Sequence, residues 1–170
     1  MKDIEVIISR EALAARVAEL GREISEYYKE KPLTVIVLMT GGMIFASDLV
    51  RAMDIPLWID SLSVASYHGH ASSGELKFRS ELKMSVKGRH VLIVDEVFDT
   101  GLTLSAVRDY LSSAGALSVK AAVAVIKDVV RPADAIMPEF SGFQAPDRYL
   151  IGYGLDSNED GRQIPFIGAV

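Results

Sequence analysis

The sequence predicts an α/β protein built on a largely parallel, twisted sheet flanked by helices. Three observations carry that expectation. The runs 33–39 (LTVIVLM), 90–94 (HVLIV) and 119–126 (VKAAVAVI) are short, apolar and rich in β-branched residues, the character of strands covered on both faces. The first two are followed by a glycine-containing turn and then a helical pattern, the strand–turn–helix–strand order of parallel crossovers. Those turns, 40–42 (TGG) and 99–103 (DTGLT), fall at the carboxyl ends of strands, where open parallel sheets gather their ligands.

Taken in order, Ser9 is a candidate N-cap for a helix over 10–30, in which Leu13, Val17, Leu20, Ile24 and Tyr27 fall at three-to-four spacing. Pro32 ends that helix before the first apolar strand. The stretch 43–53 (MIFASDLVRAM) reads as helical and 55–66 (IPLWIDSLSVAS) as extended, whereas 67–89 is polar with no sustained apolar period. Residues 103–115 (TLSAVRDYLSSAG) read as a helix with Gly115 suited to its end. The tail alternates short apolar pieces with turns.

The composition of the 170 residues, 49% apolar and 24% charged, is that of a globular chain with a sizeable core, and one domain over 1–170 is expected. The formal net charge of −5 argues against a large non-specific nucleic-acid surface. Without cysteine there is no disulfide framework, thiolate metal site or cysteine nucleophile. The first residues mix acids and bases instead of following the basic-then-apolar layout of a secretory signal. No apolar stretch approaches the ~18–20 residues of a membrane span. A cytoplasmic protein with neither nucleic-acid nor membrane partners is the expectation.

The chemistry concentrates in 91–104 (VLIVDEVFDTGLTL), where a buried strand ends in an acidic turn carrying Asp95, Glu96 and Asp99. Gly101 allows close backbone approach, and the amides of 100–103 open a helix whose positive end favours an anion. Thr100 and Thr103 add hydroxyl donors, so the turn suits one phosphate. Three acids beside a phosphate make sense if the ligand also presents sugar hydroxyls or a magnesium ion. Asp99 is then free for proton transfer, although taken alone it reads first as a cap of the following helix.

This stretch closely resembles the phosphoribosyl-diphosphate signature of the type I phosphoribosyltransferases. The rest of the chain is similar to their bacterial hypoxanthine-guanine branch through IEVIISREAL (4–13), GGMIFASDLVRAMDIPL (41–57), Ser66-Tyr67 and PDRYLIGYGLDSNEDGRQIPFIG (146–168). The resemblance implies transfer of a phosphoribosyl group to hypoxanthine or guanine, with magnesium and release of pyrophosphate. It implies Asp95 and Glu96 on the ribose hydroxyls and metal, Asp99 as general base, and Asp99, Thr100, Gly101, Leu102 and Thr103 around the 5′-phosphate. Thr40, Gly41 and Arg162 would meet pyrophosphate, and Lys127 the purine 6-oxygen. Tyr149 would stack on the base, Leu150 would meet its edge, and Asp156 would hold a second magnesium through water. A hood from the N-terminal residues and about 140–170, a mobile lid over about 67–80 starting at Ser66 and Tyr67, and a homodimer or homotetramer are likewise implied. His68 and His70, one residue apart in a polar loop, read as solvated and not as a metal pair.

The sequence departs from the family at several points. Thr40 replaces a common lysine, Leu102 replaces another within the phosphate turn, the acidic pair is Asp-Glu, and Asp160-Gly161 stand where aromatics are frequent. The alternatives are a xanthine-preferring transferase and a nucleotide-sensing regulator of the same fold. A regulator would need a basic face, which the net charge disfavours.

Overall fold

The computed structural model describes residues 4–66 and 76–170. Strand β1 (Glu5–Ile8) leads into helix α1 (Arg10–Tyr27), where the Ser9 hydroxyl accepts the Ala12 amide at 3.2 Å and so satisfies one donor at the helix start. Leu13, Val17, Leu20 and Ile24 form the buried stripe that their spacing predicts. Tyr27, expected to continue it, is 42% exposed, and Tyr28 is buried instead. The helix ends between the two: Tyr28 is the C-cap, its amide donating to Ile24, and the turning chain carries its ring inward.

The remaining elements are β2 (Leu33–Met39), α2 (Met43–Arg51), β3 (Leu57–Ser66), β4 (Leu76–Phe78), β5 (His90–Phe98), α3 (Leu102–Ser113), β6 (Ser118–Lys127), β7 (Phe140–Ala145), β8 (Leu150–Ile151) and β9 (Ile167–Ala169). Six strands form one sheet in the order β4-β3-β2-β5-β6-β7, parallel throughout except for the antiparallel edge strand β4. From β2 the chain crosses through α2 to β3 on one side; from β5 it crosses through α3 to β6 on the other. Crossovers of one hand running in opposite directions place α2 and α3 on opposite faces. Val35, Val37, Leu92 and Val94 pack with α1 and α2, while Ile36, Leu38, Val91 and Ile93 pack with α3. The central strands are therefore covered on both sides, which is why their sequences do not alternate.

Two boundaries differ from the sequence reading. Strand β5 does not stop at Val94: β2 pairs with it only that far, but β6 stays paired to Phe98. Asp95 and Glu96 thus lie within a strand and not in a turn, held there by the longer neighbour. Residues 140–145, expected in the hood, join the main sheet as β7, because β6 offers an edge that they pair in parallel. The small second sheet is made from the terminal segments, in the order β1-β9-β8, with antiparallel pairing.

Of the stretch expected as a lid, residues 76–78 form β4 against the end of β3, with Ser66 opposite Leu76. Tyr67, His68 and His70 lie outside the described residues. No helix among the described residues is long and apolar enough to cross a membrane.

Candidate active site

Because the crossovers diverge between β2 and β5, a crevice opens above their carboxyl ends, the switch point at which open α/β sheets bind ligands. A cleft of about 310 Å³ lies there. Thr40 and Gly41 line it from the end of β2, Asp95 and Glu96 from β5, and Asp99, Thr100, Gly101 and Thr103 from the turn into α3. Asp156 and Arg162 complete it from the segment before β9. Residues far apart in sequence thus converge at the carboxyl ends of β2 and β5.

The turn into α3 has the conformation its sequence suggests. Gly101 adopts a left-handed φ of +89° and is the N-cap, with no side-chain cap bond. The first backbone bond of the helix runs from the Ser105 amide to the Gly101 carbonyl at 3.0 Å, so the amides before Ser105 have no intrahelical acceptor and remain available to an anion. Leu102 is 57% exposed and its side chain is not part of the cleft, which leaves only its amide to contribute. Asp99 does not cap the helix. Its half-exposed carboxylate lies 3.9 Å from the Lys127 ammonium.

Asp95 and Glu96 form a close acidic pair in which the Asp95 carboxylate accepts the Glu96 amide at 3.0 Å. Burial, and then the neighbouring charge of Glu96, hold the Asp95 carboxyl well above the usual carboxylate range. Its folded pKa therefore lies above the unfolded value of about 3.9, so its favourable contribution is complete below that value and is lost as pH rises through the folded one. In the absence of metal and ligand, Asp95→Asn is expected to melt above wild type near neutral pH, with the gap closing toward pH 4. Thermal unfolding across that range measures it, and a variant that melts lower at every pH would contradict the account.

The pair is locked from above by two glycines. A Cβ built on Gly41 would fall 1.9 Å from a Glu96 carboxylate oxygen, and one on Gly154 would fall 2.1 Å from the Gly41 carbonyl. Gly154 sits in a left-handed run, with φ of +94°, +52° and +104° at Gly152, Tyr153 and Gly154. Tyr153 anchors the run: its ring is buried beside Phe45 and its hydroxyl donates to Asp48 at 2.8 Å, which ties this segment to α2. Arg162 donates to the Gly154 carbonyl at 2.8 Å and pairs with Asp156 at 2.9 Å. The Asp156 carboxylate also accepts the Glu159 amide.

Lys127, Tyr149 and Leu150 do not line the cleft. Lys127 adjoins it through Asp99 and is held at 3.0 Å by Asp147, two residues before Tyr149. Tyr149 is 55% exposed, whereas Leu150 is buried in β8. Sequence reasoning missed Asp147, Tyr153, Gly154 and Arg131. The first three lie within the quoted block 146–168, but nothing local distinguishes them; Arg131, in a loop beyond β6, carries no signal at all.

Among the described residues no group of three or more histidines or acids is arranged to hold a metal. The donor set present is one adjacent acid pair with a disfavoured charge, which suits magnesium, an ion that takes one or two carboxylates and completes its shell with water and substrate oxygens.

A parallel sheet with an anion-binding turn and an acid pair meeting at its switch point defines the class: an α/β enzyme acting on a sugar phosphate. The comparison with known proteins is more specific. The family model described as phosphoribosyl transferase domain matches residues 5–158, and the chain belongs to that family. It is 40% identical over 166 residues to the hypoxanthine-guanine phosphoribosyltransferase of Aquifex aeolicus, covering 96% of this chain and 93% of that protein. It is 34% identical over 169 residues to the hypoxanthine-guanine-xanthine phosphoribosyltransferase of Tritrichomonas foetus, covering 99% and 92%. A crystal structure of a hypoxanthine phosphoribosyltransferase from Staphylococcus aureus superimposes with a TM-score of 0.92 at 34% identity, covering 98% and 90%.

Proposed function

We propose that the chain, acting as one domain in the cytoplasm, transfers the phosphoribosyl group of 5-phosphoribosyl 1-diphosphate to hypoxanthine or guanine, giving IMP or GMP and pyrophosphate in purine salvage. The observation that carries this reading is the convergence of the Asp95–Glu96 pair, the 99–103 turn, Gly41 and Arg162 on one cleft.

Each group has work that matches its chemistry. The turn amides with Thr100 and Thr103 hold the 5′-phosphate, and Asp95 and Glu96 accept hydrogen bonds from the ribose hydroxyls. The Thr40–Gly41 backbone and Arg162 receive the departing pyrophosphate, with Thr40 contributing no charge. As the glycosidic bond breaks, positive charge grows on the sugar, and the nearby carboxylates stabilise it. Tyr149 stacks on the purine, the Leu150 backbone meets its edge, and Lys127 donates to the 6-oxygen, a contact that adenine's amino group cannot make. Asp99 accepts the ring-nitrogen proton as the new bond forms. Magnesium, held by Asp95 and Glu96 and through water by Asp156, would offset the diphosphate charge. Closure of a lid over about 67–80, starting at Ser66 and Tyr67, excludes water from the activated sugar.

A homodimer or homotetramer fits the apolar groove of about 620 Å³ lined in part by Val37, Met43, Val50 and Ile59, since Met43 and Ile59 are about half exposed.

The deciding experiment assays product formation from phosphoribosyl diphosphate, magnesium and, in turn, hypoxanthine, guanine, xanthine and adenine. Turnover of the first two with little of adenine is the expected result. Turnover confined to xanthine would overturn the specificity and keep the reaction, an alternative motivated by the broader substrate name of the Tritrichomonas relative. Tight nucleotide binding without turnover of any base would overturn the enzyme reading in favour of a regulator.

A further inference from the structure

Beyond the last paired residues of β5 and β6, Phe98 and Ile126, the ladder between these strands stops. The two side chains that must meet one purine, Asp99 and Lys127, stand just past that point. Arg131 takes over there. Its guanidinium donates to the Asp99 carbonyl at 2.7 Å, the Phe98 carbonyl at 3.4 Å, the Val129 carbonyl at 3.3 Å and the Lys127 carbonyl, and it lies 4.9 Å from the centre of the Phe98 ring.

We propose that Arg131 is a positioning residue that fixes Asp99 and Lys127 relative to each other, so that proton transfer and 6-oxo recognition fall on the same base. The inference rests on the phosphoribosyl-transfer reading above. The purine ring nitrogen and the 6-oxygen have a fixed separation, so the two side chains must keep a matching one; their charged ends are 3.9 Å apart without a base between them. Only a planar fork of N–H donors reaches carbonyls on both strand ends at once, and an ammonium on a flexible stem does not reproduce it. Arg131 touches no reacting atom, and its effect passes through the backbone of the two residues that do.

The test compares wild type, Arg131→Ala and Arg131→Lys with varied hypoxanthine and varied phosphoribosyl diphosphate. Both variants are expected to raise KM for the base and lower kcat, together by about tenfold or more, while KM for phosphoribosyl diphosphate changes far less. Guanidinium ion at millimolar concentration is expected to restore part of the loss in Arg131→Ala and nothing in wild type. Hydrogen exchange at residues 98–100 and 127–129 is expected to accelerate in both variants. Equal losses for the two substrates, unchanged kinetics or unchanged exchange would overturn the proposal. Should Arg131→Ala fail to fold, Arg131→Lys, which keeps the charge and the aliphatic stem, carries the kinetic test. Failure of the reaction reading is distinguishable: wild type itself would turn over no base, while the exchange experiment would still decide whether Arg131 joins the two strand ends.

Discussion

Replacing Gly154 with alanine is expected to lower kcat/KM for phosphoribosyl diphosphate by about two orders of magnitude and to depress the melting temperature. The added Cβ would lie 2.1 Å from the Gly41 carbonyl, a backbone atom that cannot rotate away. The backbone φ of +104° adds a conformational penalty of about 1–2 kcal/mol for any residue with a Cβ. Relief requires the segment carrying Arg162 and Asp156 to move about 1 Å from the Thr40–Gly41 turn, a displacement that costs ~10²-fold in a reaction dependent on alignment. Gly41→Ala makes an informative partner. Its Cβ would meet the end of the Glu96 side chain, which can swing aside. That variant is expected to keep its melting temperature within a few degrees while losing activity, because the displaced carboxylate is one of the two proposed to face the ribose. Steady-state kinetics and thermal unfolding of both variants separate the cases. A Gly154→Ala enzyme with wild-type kinetics would show that the contact between the two turns has no catalytic consequence.

The parts of the fold legible in the sequence were those fixed by local chemistry. The runs 33–39, 90–94 and 119–126 read as double-covered strands because, apart from Thr34, His90 and Lys120, nothing in them is suited to water. The glycines at 41, 42 and 101 marked the turns because only such residues fit there. What escaped was set by neighbours. Asp95 and Glu96 read as turn residues because acids are rare in buried strands; β6 keeps them in β5 by remaining paired beyond the point where β2 departs. The segment FSGFQA has weak strand character, and its place in the main sheet comes from the free edge of β6. Tyr27 and Tyr28 are identical in type, and only the place where α1 ends decides which is buried.

The same division runs through the site. Its acids, the phosphate turn and Lys127 stand in recognisable patterns because their chemistry demands particular residue types at particular spacings. Asp147 reaches the Lys127 ammonium, Arg131 reaches the backbone carbonyls of Asp99 and Lys127, and Tyr153 ties its own segment to α2; none of these contacts needs a motif in the sequence around it. Arg131 is the clearest case: its partners are backbone carbonyls, which leave no trace in the sequence around them.

Asp99→Asn is expected to lower kcat by about 10²–10⁴-fold, the contribution of a positioned general base, with KM for phosphoribosyl diphosphate little changed. The geometry favours a clean loss. Asp99 caps no helix, since Gly101 occupies the N-cap position of α3 without a side-chain bond. Its carboxylate is half exposed, with the Lys127 ammonium 3.9 Å away, so an amide of the same shape leaves the backbone of the turn and its anion-binding amides in place. The substitution removes a proton acceptor and a negative charge, not a structural bond. Lys127 keeps its closer partner, Asp147 at 3.0 Å, and so retains the position from which it is proposed to meet the purine oxygen. Two measurements decide the matter: single-turnover product formation, which isolates the chemical step, and the pH dependence of kcat. If Asp99 is the base, the acid limb of the wild-type profile should be absent from the variant. A variant that loses affinity for phosphoribosyl diphosphate while retaining the chemical step would instead assign Asp99 to the phosphate turn alone, and the proton acceptor would have to be sought elsewhere in the cleft.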